Sequence, residues 1–256
     1  MSGQQLEGLV ALVTGAGGGI ASASVEHLAR AGCNIAAVDV DREAALRVAA
    51  RVAELGRQAV AIDADLALAT AVDSAIEQAI EAYGRIDVLV NAVGVGGVSP
   101  VADHPEELWD RVMGINLKSI FLVCRRVLPH MMERRSGRIV NITSRAAYQS
   151  RGGTAAYAAS KGGLLAFSRV LAVEGGPYGI TVNNVAPGTT LTPMTRDFYG
   201  GPEGQAREAS DSGVVVDPPR LIEPDEIANA VIYLCAPGSE YITGTTLHVN
   251  GGSFMP

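Results

Sequence analysis

The feature that most constrains the fold lies near the N-terminus, where a short apolar stretch runs into a glycine-rich turn and then into a helical pattern. The stretch covers residues 9–14, the turn reads Gly15-Ala16-Gly17-Gly18-Gly19-Ile20, and helical spacing follows over residues 21–31. This order of elements aims backbone N–H groups and a helix N-terminus at a phosphate group. The spacing fits T-G-x-x-x-G-x-G, with Ala21 in the place of the last glycine.

The same alternation continues along the chain. Apolar runs predict further strands at 34–40, 58–62, 87–90, 138–143, 179–185 and 245–249, and helical spacing predicts helices at 42–55, 70–83, 105–135 and 224–235 and around Tyr157. Strands that alternate with helices predict an α/β fold, a doubly wound parallel sheet (Rossmann fold) of about seven strands with helices on both faces. We interpret residues 1–256 as a single dinucleotide-binding catalytic domain. Residues 189–223, rich in Gly, Pro, Asp and Ser, break the alternation and indicate a substrate-loop insertion.

A carboxylate stands at the end of the second predicted strand. Asp39 follows Gly19 by 20 residues, no basic residue precedes Gly19, and Arg42 comes only three residues after Asp39. A carboxylate at this point accepts hydrogen bonds from the ribose hydroxyls of NAD and repels the 2′-phosphate of NADP, so NAD is favoured. The alternative interpretation is that Asp39 caps a strand end or a helix.

A serine, a tyrosine and a lysine form the candidate catalytic group. Tyr157 and Lys161 are four residues apart in an Ala-rich run, so a helix places them on one face. Ser144 follows the predicted strand 138–143, at the end where ligands bind in such sheets. A phenol exchanges protons at neutral pH only if its anion is stabilised by about 4 kcal/mol, which a neighbouring ammonium can provide. The alternative is an amphipathic helix with a half-buried tyrosine and a lysine that reaches solvent.

Composition excludes several classes of function. The net charge is −7 and the chain has no basic tract, which argues against nucleic acid as a partner. The cysteines at 33, 124 and 235 are far apart and without close histidines, so we expect neither disulfides nor a metal site, and a reducing compartment. The N-terminus has no basic region, and its apolar run is too short for a membrane span. We therefore expect a cytoplasmic protein with no membrane partner.

Taken together, the motifs resemble the short-chain dehydrogenase/reductase family over essentially the whole chain. They run from TGAGGGI through NAVG, Asn116, Ser144, YAASK and NNVAPG to ITGTTLHVNGG. The resemblance implies an NAD-dependent oxidoreductase that acts on CH–OH donors and interconverts a secondary alcohol and a ketone. It implies that Tyr157 is the general acid/base and that Lys161 lowers its pKa. It also implies that Ser144 hydrogen-bonds the substrate oxygen and that Asn116 holds a water of a proton relay.

The resemblance also implies the cofactor contacts. They are Gly15, Gly19 and Ile20 at the pyrophosphate, Asp39 at the adenosine ribose, Asp65 and Leu66 at the adenine, Asn91 and Gly94 beside it, Tyr157 and Lys161 at the nicotinamide, and Pro187, Gly188 and Thr192 over the nicotinamide. The methyl group of Ala21 lies where the helix packs closest to the strand, which can weaken cofactor binding. The resemblance further implies a homotetramer.

Two alternatives for the function stay open. The first is an NADPH-dependent 3-oxoacyl reductase for acyl-carrier-protein or CoA substrates; Asp39 argues against it, as does Tyr178, which stands where carrier-binding members have a basic residue. The second is a dinucleotide-binding regulator without catalysis. We expect the small-molecule substrate between the loop after Gly94, residues 145–154 and the insertion. Arg145 and Arg151 are interpreted as surface arginines, with pairing to an anionic substrate as the alternative.

Overall fold

The computed structural model describes residues 5–149, 151–211, 213–216 and 220–255. Within these residues, seven strands form one parallel sheet in the order β3-β2-β1-β4-β5-β6-β7. The strands are β1 (Val10–Thr14), β2 (Asn34–Asp39), β3 (Ala59–Asp63), β4 (Val88–Asn91), β5 (Gly137–Ile142), β6 (Ile180–Pro187) and β7 (Thr246–Val249). The predicted doubly wound parallel sheet and its seven strands are confirmed.

Helices connect the strands and cover both faces of the sheet. They are α1 (Gly19–Arg30), α2 (Arg42–Glu54), α3 (Ala69–Tyr83), α4 (Glu106–Met113), α5 (Ser119–Arg134), α6 (Ala155–Gly175), α7 (Pro193–Tyr199), α8 (Pro202–Asp211) and α9 (Pro224–Cys235). One buried apolar cluster joins the sheet to α3, α5 and α6, and a second joins it to α1, α2 and α9. No helix among the described residues is long and apolar enough to span a bilayer.

The first strand shows why the chain folds in this way. All five residues of β1 are buried, as in a central parallel strand that is covered on both faces. Its side chains alternate: Leu12 packs in the cluster with α3, α5 and α6, and its neighbours Ala11 and Val13 pack in the cluster with α1, α2 and α9. Strand order reverses beside β1, because β1 pairs with both β2 and β4. In such sheets ligands bind at the carboxyl ends of the strands next to this reversal.

Two predicted elements differ from the structure in detail. The helix predicted over 105–135 is divided by a π-turn at Gly114–Lys118, which lies between α4 and α5. The wider backbone turn changes the direction of Asn116, a residue inside it, and such turns are frequent at functional sites. The insertion at 189–223 contains α7 and α8. Both helices begin with a proline, whose missing N–H costs little in the first turn of a helix. The sequence did not predict these helices, because no helical period of apolar residues marks them.

Candidate active site

The structure brings the predicted serine and tyrosine together at one wall of a cavity of about 550 Å³. Ser144 lies two residues after β5 and accepts a hydrogen bond of 3.1 Å from the backbone N–H of Ala146. This bond begins a short 3-10 turn and fixes the direction of the serine hydroxyl. Tyr157 lies in the first turn of α6, and its hydroxyl is hydrogen-bonded to that of Ser144. A carbonyl or alcohol oxygen in the cavity can therefore meet both hydroxyls.

Lys161 lies one helical turn after Tyr157 and is only 4% exposed. Its Nζ donates a hydrogen bond of 2.9 Å to the backbone carbonyl of Ile142 and lies 5.9 Å from the centre of the Tyr157 ring. Burial lowers the pKa of Lys161 from 10.5 to about 8. The group is therefore still mostly protonated at neutral pH, although its positive charge is poorly solvated.

The pKa of Tyr157 differs from the expectation. Burial raises this pKa above 10, and the hydrogen bond from Ser144 opposes the rise only in part. The resemblance implies that Lys161 lowers the pKa of Tyr157. In this structure burial and Ser144 shift that pKa, and Lys161 does not. The physical reason is that removal of the phenol from water disfavours its anion, while the ammonium of Lys161 is directed at Ile142.

Asn116 is completely buried in the π-turn and connects two parts of the site. Its Oδ1 accepts from the N–H of Val95 at 2.8 Å, and its Nδ2 donates to the carbonyl of Val95 at 2.9 Å and to Ser160 Oγ at 3.1 Å. The side chain thus holds the loop after β4 against α6. Its predicted role in holding a water stays a prediction.

A second cavity, of about 610 Å³, lies along the carboxyl ends of the strands at the reversal of strand order. Most of the predicted cofactor residues line it, namely Gly15, Gly19, Ile20, Asp39, Asp65, Leu66, Gly94 and Thr192. Ala21 also lines it, and the methyl group of Ala21 is buried.

The glycine-rich turn has little room for side chains. Gly15 has a φ of +64°, which favours glycine, and a Cβ at Gly17 would lie 2.5 Å from the Cβ of Ala44 in α2. The residue before α1 is Gly18, and no side chain caps the helix or places an acidic group in its first turn. Its first N–H groups are thus available to an anion, so these residues fit the pyrophosphate of a dinucleotide.

Asp39 is held at the rim of this cavity by two backbone donors. Its Oδ2 accepts from Gly17 N–H at 2.8 Å and its Oδ1 from Asp41 N–H at 2.9 Å. The alternative interpretation of Asp39 as a strand-end cap therefore applies in part, because its carboxylate connects the glycine-rich turn to the end of β2. A carboxylate has about four acceptor positions, so it can still accept hydrogen bonds from a ribose.

Five predicted cofactor residues lie elsewhere. Asn91 is fully buried, and its Nδ2 donates to Asn141 Oδ1 at 2.8 Å, so its side chain joins β4 to β5. Pro187, Gly188 and Tyr157 line the 550 Å³ cavity. Lys161 lines neither cavity, but a Cβ at Gly94 would lie 3.4 Å from its Nζ. Gly94 is itself part of the wall of the 610 Å³ cavity.

The 550 Å³ cavity lies between the segments that were predicted to hold the substrate. Its walls include Val98, from the loop after β4, the segment that follows β5, and Met194 and Phe198 from α7. We call it the substrate cavity, and we call the 610 Å³ cavity the dinucleotide cavity. Arg145 and Arg151 both line the substrate cavity.

The interpretation as a surface arginine holds for Arg151 but not for Arg145. The side chain of Arg145 is 14% exposed, and that of Arg151 is half exposed and forms two hydrogen bonds to Glu208 of α8, at 2.7 and 3.0 Å. Sequence reasoning missed Glu208, since the insertion has no period that predicts a buried position. Proline at 202 and Glu203 could have indicated the start of α8, but not which of its side chains points inward.

All three cysteines are free and buried, and burial raises the pKa of the thiols of Cys33 and Cys124 to about 12. They therefore behave as small apolar side chains rather than as nucleophiles.

Comparison with known proteins agrees with this geometry. Residues 15–253 match the family model described as enoyl-(acyl carrier protein) reductase. The D-threitol dehydrogenase of Mycolicibacterium smegmatis is 37% identical, over 97% of this chain and 94% of that protein. The acetoacetyl-CoA reductase of an Acinetobacter species is 41% identical, over 96% and 98%. Among solved structures, levodione reductase superposes with a TM-score of 0.90 at 32% identity, and 96% of this chain and 98% of that chain are covered.

Proposed function

Because the chain belongs to the short-chain dehydrogenase/reductase family, we propose that it is an NAD-dependent enzyme that interconverts a secondary alcohol and a ketone. The observation that carries this proposal is the hydrogen bond between the hydroxyls of Ser144 and Tyr157 in the wall of the substrate cavity. The names of two relatives, D-threitol dehydrogenase and levodione reductase, are those of enzymes for alcohols and ketones.

Each side chain of the site has a role in this proposal. Ser144 holds the substrate oxygen, and Tyr157 takes the proton of the alcohol in oxidation or returns it in reduction. The charge of Lys161 stabilises the tyrosine anion, which burial otherwise disfavours. Asn116 fixes the loop at Val95 and holds a water that continues the proton path through Lys161. The nicotinamide, when bound, supplies the acceptor or donor of the hydride.

NAD is the proposed cofactor because of the carboxylate at the dinucleotide cavity. Asp39 is held toward the glycine-rich turn by the N–H of Gly17, so its charge lies beside the place of an adenosine ribose. A 2′-phosphate there would meet a like charge. We propose oxidation as the physiological direction, because cellular NAD is mostly oxidised.

The experiment that tests this proposal is a titration of the purified protein with NADH and with NADPH, read by the fluorescence of the reduced nicotinamide, followed by a screen of secondary alcohols with NAD. We expect saturable binding of NADH, much weaker binding of NADPH, and turnover of at least one alcohol. Tighter binding of NADPH would contradict the assignment to Asp39. Absence of binding of both would contradict the proposal as a whole.

A specific observation favours a second candidate, an NADPH-dependent 3-oxoacyl reductase. The guanidinium of Arg135 lies 5.7 Å from the ring centre of Tyr178, so a positive charge is present at the surface where the sequence suggested only tyrosine. This weakens the sequence argument against an acidic carrier as partner, and the acetoacetyl-CoA reductase among the relatives acts on an acyl substrate by its name. The same titration separates the two candidates.

The third possibility, a non-catalytic dinucleotide-binding regulator, predicts binding without turnover. It is disfavoured by the presence of Ser144, Tyr157 and Lys161 in one connected arrangement. The homotetramer and the cytoplasmic location stay predictions, and sedimentation of the purified protein tests the first of them.

A further inference from the structure

The arginines of the substrate cavity are already bound to an internal carboxylate. Glu208, on α8, is 6% exposed. Arg151 donates Nη1 and Nη2 to its two oxygens at 3.0 and 2.7 Å, which is the paired geometry that an arginine gives a carboxylate ligand. Thr189 Oγ1 donates to Oε1 at 2.9 Å, and Arg145 Nη2 lies 3.9 Å from the same oxygen.

The geometry places this carboxylate behind the cavity wall. Arg145, Arg151 and Thr189 line the substrate cavity, whereas Glu208 contacts all three from outside its lining. Arg151 Nη1 also lies 3.3 Å from the hydroxyl of Tyr199, another lining residue. The two Nη donors of Arg151 that would bind a carboxylate or phosphate of a substrate are therefore occupied by Glu208.

The charges of the described residues around the substrate cavity cancel. Among the described residues that line the substrate cavity or pair with its lining, the positive charges are Arg145 and Arg151 and the negative ones are Glu208 and the exposed Asp197. An uncharged substrate leaves this arrangement intact. An anionic substrate must either lie near Glu208 or displace it from Arg151, which leaves the buried carboxylate without two of its hydrogen bonds.

We propose that Glu208 restricts the enzyme to uncharged substrates by occupying the anion site that Arg145 and Arg151 would otherwise offer. This inference rests on the proposed function, because it concerns the alcohol or ketone that reacts at Tyr157. The substrate class is then an alcohol or ketone without a carboxylate or phosphate near the reacting carbon. Glu208 is a specificity-determining residue that acts through the two arginines, without contact to the reacting atoms.

The test compares the wild-type protein with Glu208→Gln on matched pairs of probes, each a short hydroxy acid and its methyl ester, such as 3-hydroxybutyrate and methyl 3-hydroxybutyrate. The two members differ in charge and little in shape. We expect the wild-type enzyme to favour the ester in kcat/KM. Loss of the Glu208 charge weakens its hold on the two Nη groups of Arg151 at the cavity wall, so the acid-to-ester ratio should rise by about tenfold or more.

Two further variants keep the test decisive. Arg151→Gln removes a positive charge from the same cluster and should lower the acid-to-ester ratio, a change of opposite sign that remains measurable if Glu208→Gln does not fold. Glu7→Gln removes the carboxylate from another paired contact, that with Arg57. Glu7 lies before β1, at the amino ends of the strands, and lines neither cavity. This matched control should leave the ratio unchanged.

The outcomes separate the two levels of the proposal. A wild-type preference for the acids, or an unchanged ratio in Glu208→Gln with turnover of the esters intact, overturns the role of Glu208 and leaves the proposed function standing. Failure of the wild-type protein to bind NADH and to turn over any member of the pairs overturns both.

Discussion

The dinucleotide cavity and the substrate cavity adjoin the same active site, but different kinds of structural element form their walls. The dinucleotide cavity is formed by the ends of buried strands and by a glycine-rich turn that packs against α2 without space for a side chain. The substrate cavity is covered by α7, which has no buried residue, and behind its wall lies α8, whose described buried side chain is Glu208. Hydrogen bonds of Glu208 with Arg151 and Thr189 join α8 to this wall, and in our proposal these contacts restrict the substrate.

The largest expected effect separates chemistry from cofactor binding. Tyr157→Phe removes the hydroxyl that carries the proton while it keeps the ring, so kcat should fall by about 10²- to 10⁴-fold. The affinity for NADH, measured by fluorescence, should change far less, because Tyr157 lies outside the lining of the dinucleotide cavity. The control is Tyr233→Phe, at an exposed position of α9, which should retain activity. Equal losses in affinity and kcat would break the distinction between the two cavities.

Lys161 lies where the two cavities approach each other, and its burial should reduce stability in a pH-dependent way. Its pKa falls from 10.5 in the unfolded chain to about 8, which corresponds to about 3 kcal/mol. Below pH 8 this penalty is fully present. Between pH 8 and 10.5 the unfolded chain binds the extra proton, so the folded state gains stability as pH rises.

The direction of this pH dependence of stability can be measured with the variant Lys161→Met. Relative to this variant, the wild-type protein should gain most of those 3 kcal/mol between pH 7 and pH 10 in urea unfolding followed by circular dichroism. The cysteines titrate in both proteins and cancel in the difference, and burial keeps the pKa of Tyr157 above 10, at the end of this pH range. Lys118→Met, the same substitution at the exposed second lysine, should show no such trend. A constant difference across this range would show that the charge of Lys161 is well solvated.

The close packing of the glycine-rich turn can be tested with Gly17→Ala. The new methyl would meet the Cβ of Ala44 at 2.5 Å, so we expect a loss of about 1–3 kcal/mol in the free energy of unfolding and weaker binding of NADH. Gly162→Ala is the matched control, because its methyl meets nothing within 4 Å and lies in the middle of α6. That variant should be as stable as the wild type or slightly more stable. If Gly17→Ala were as stable as Gly162→Ala, the glycine-rich turn would have room for a methyl group, and the close packing inferred for it would be wrong.

The smallest expected effect concerns the choice of dinucleotide. Asp39→Asn keeps the shape of the side chain and removes its charge, so the affinity for NADPH should rise by about tenfold relative to that for NADH. The KM of the alcohol should not change if the two cavities act independently. Asp63→Asn is the control, since Asp63 pairs in register with Asp39 on the next strand and lies outside the lining of the dinucleotide cavity. An unchanged NADPH-to-NADH ratio in Asp39→Asn would contradict the role of this charge.

Sequence reasoning succeeded where a feature depends on neighbouring residues. The period of apolar side chains marked the strands and the main helices, and the spacing of Tyr157 and Lys161 placed them on one face of α6. It failed for Arg145, because the burial of an arginine depends on what packs over it. It also could not anticipate the direction of Asn91, whose side chain turns to Asn141, 50 residues later in the sequence.

The sequence by itself therefore determined the parallel sheet, the glycine-rich turn and the identity of the Ser144, Tyr157 and Lys161 group, because each follows from local periods and short spacings. The tertiary structure decided how those groups are solvated and what surrounds the substrate. Burial sets the pKa of Lys161 near 8, and the contact of Arg151 with Glu208 joins residues 57 apart in the sequence. The physical reason is that desolvation and ion pairing depend on which segments pack together, and no local pattern records that packing.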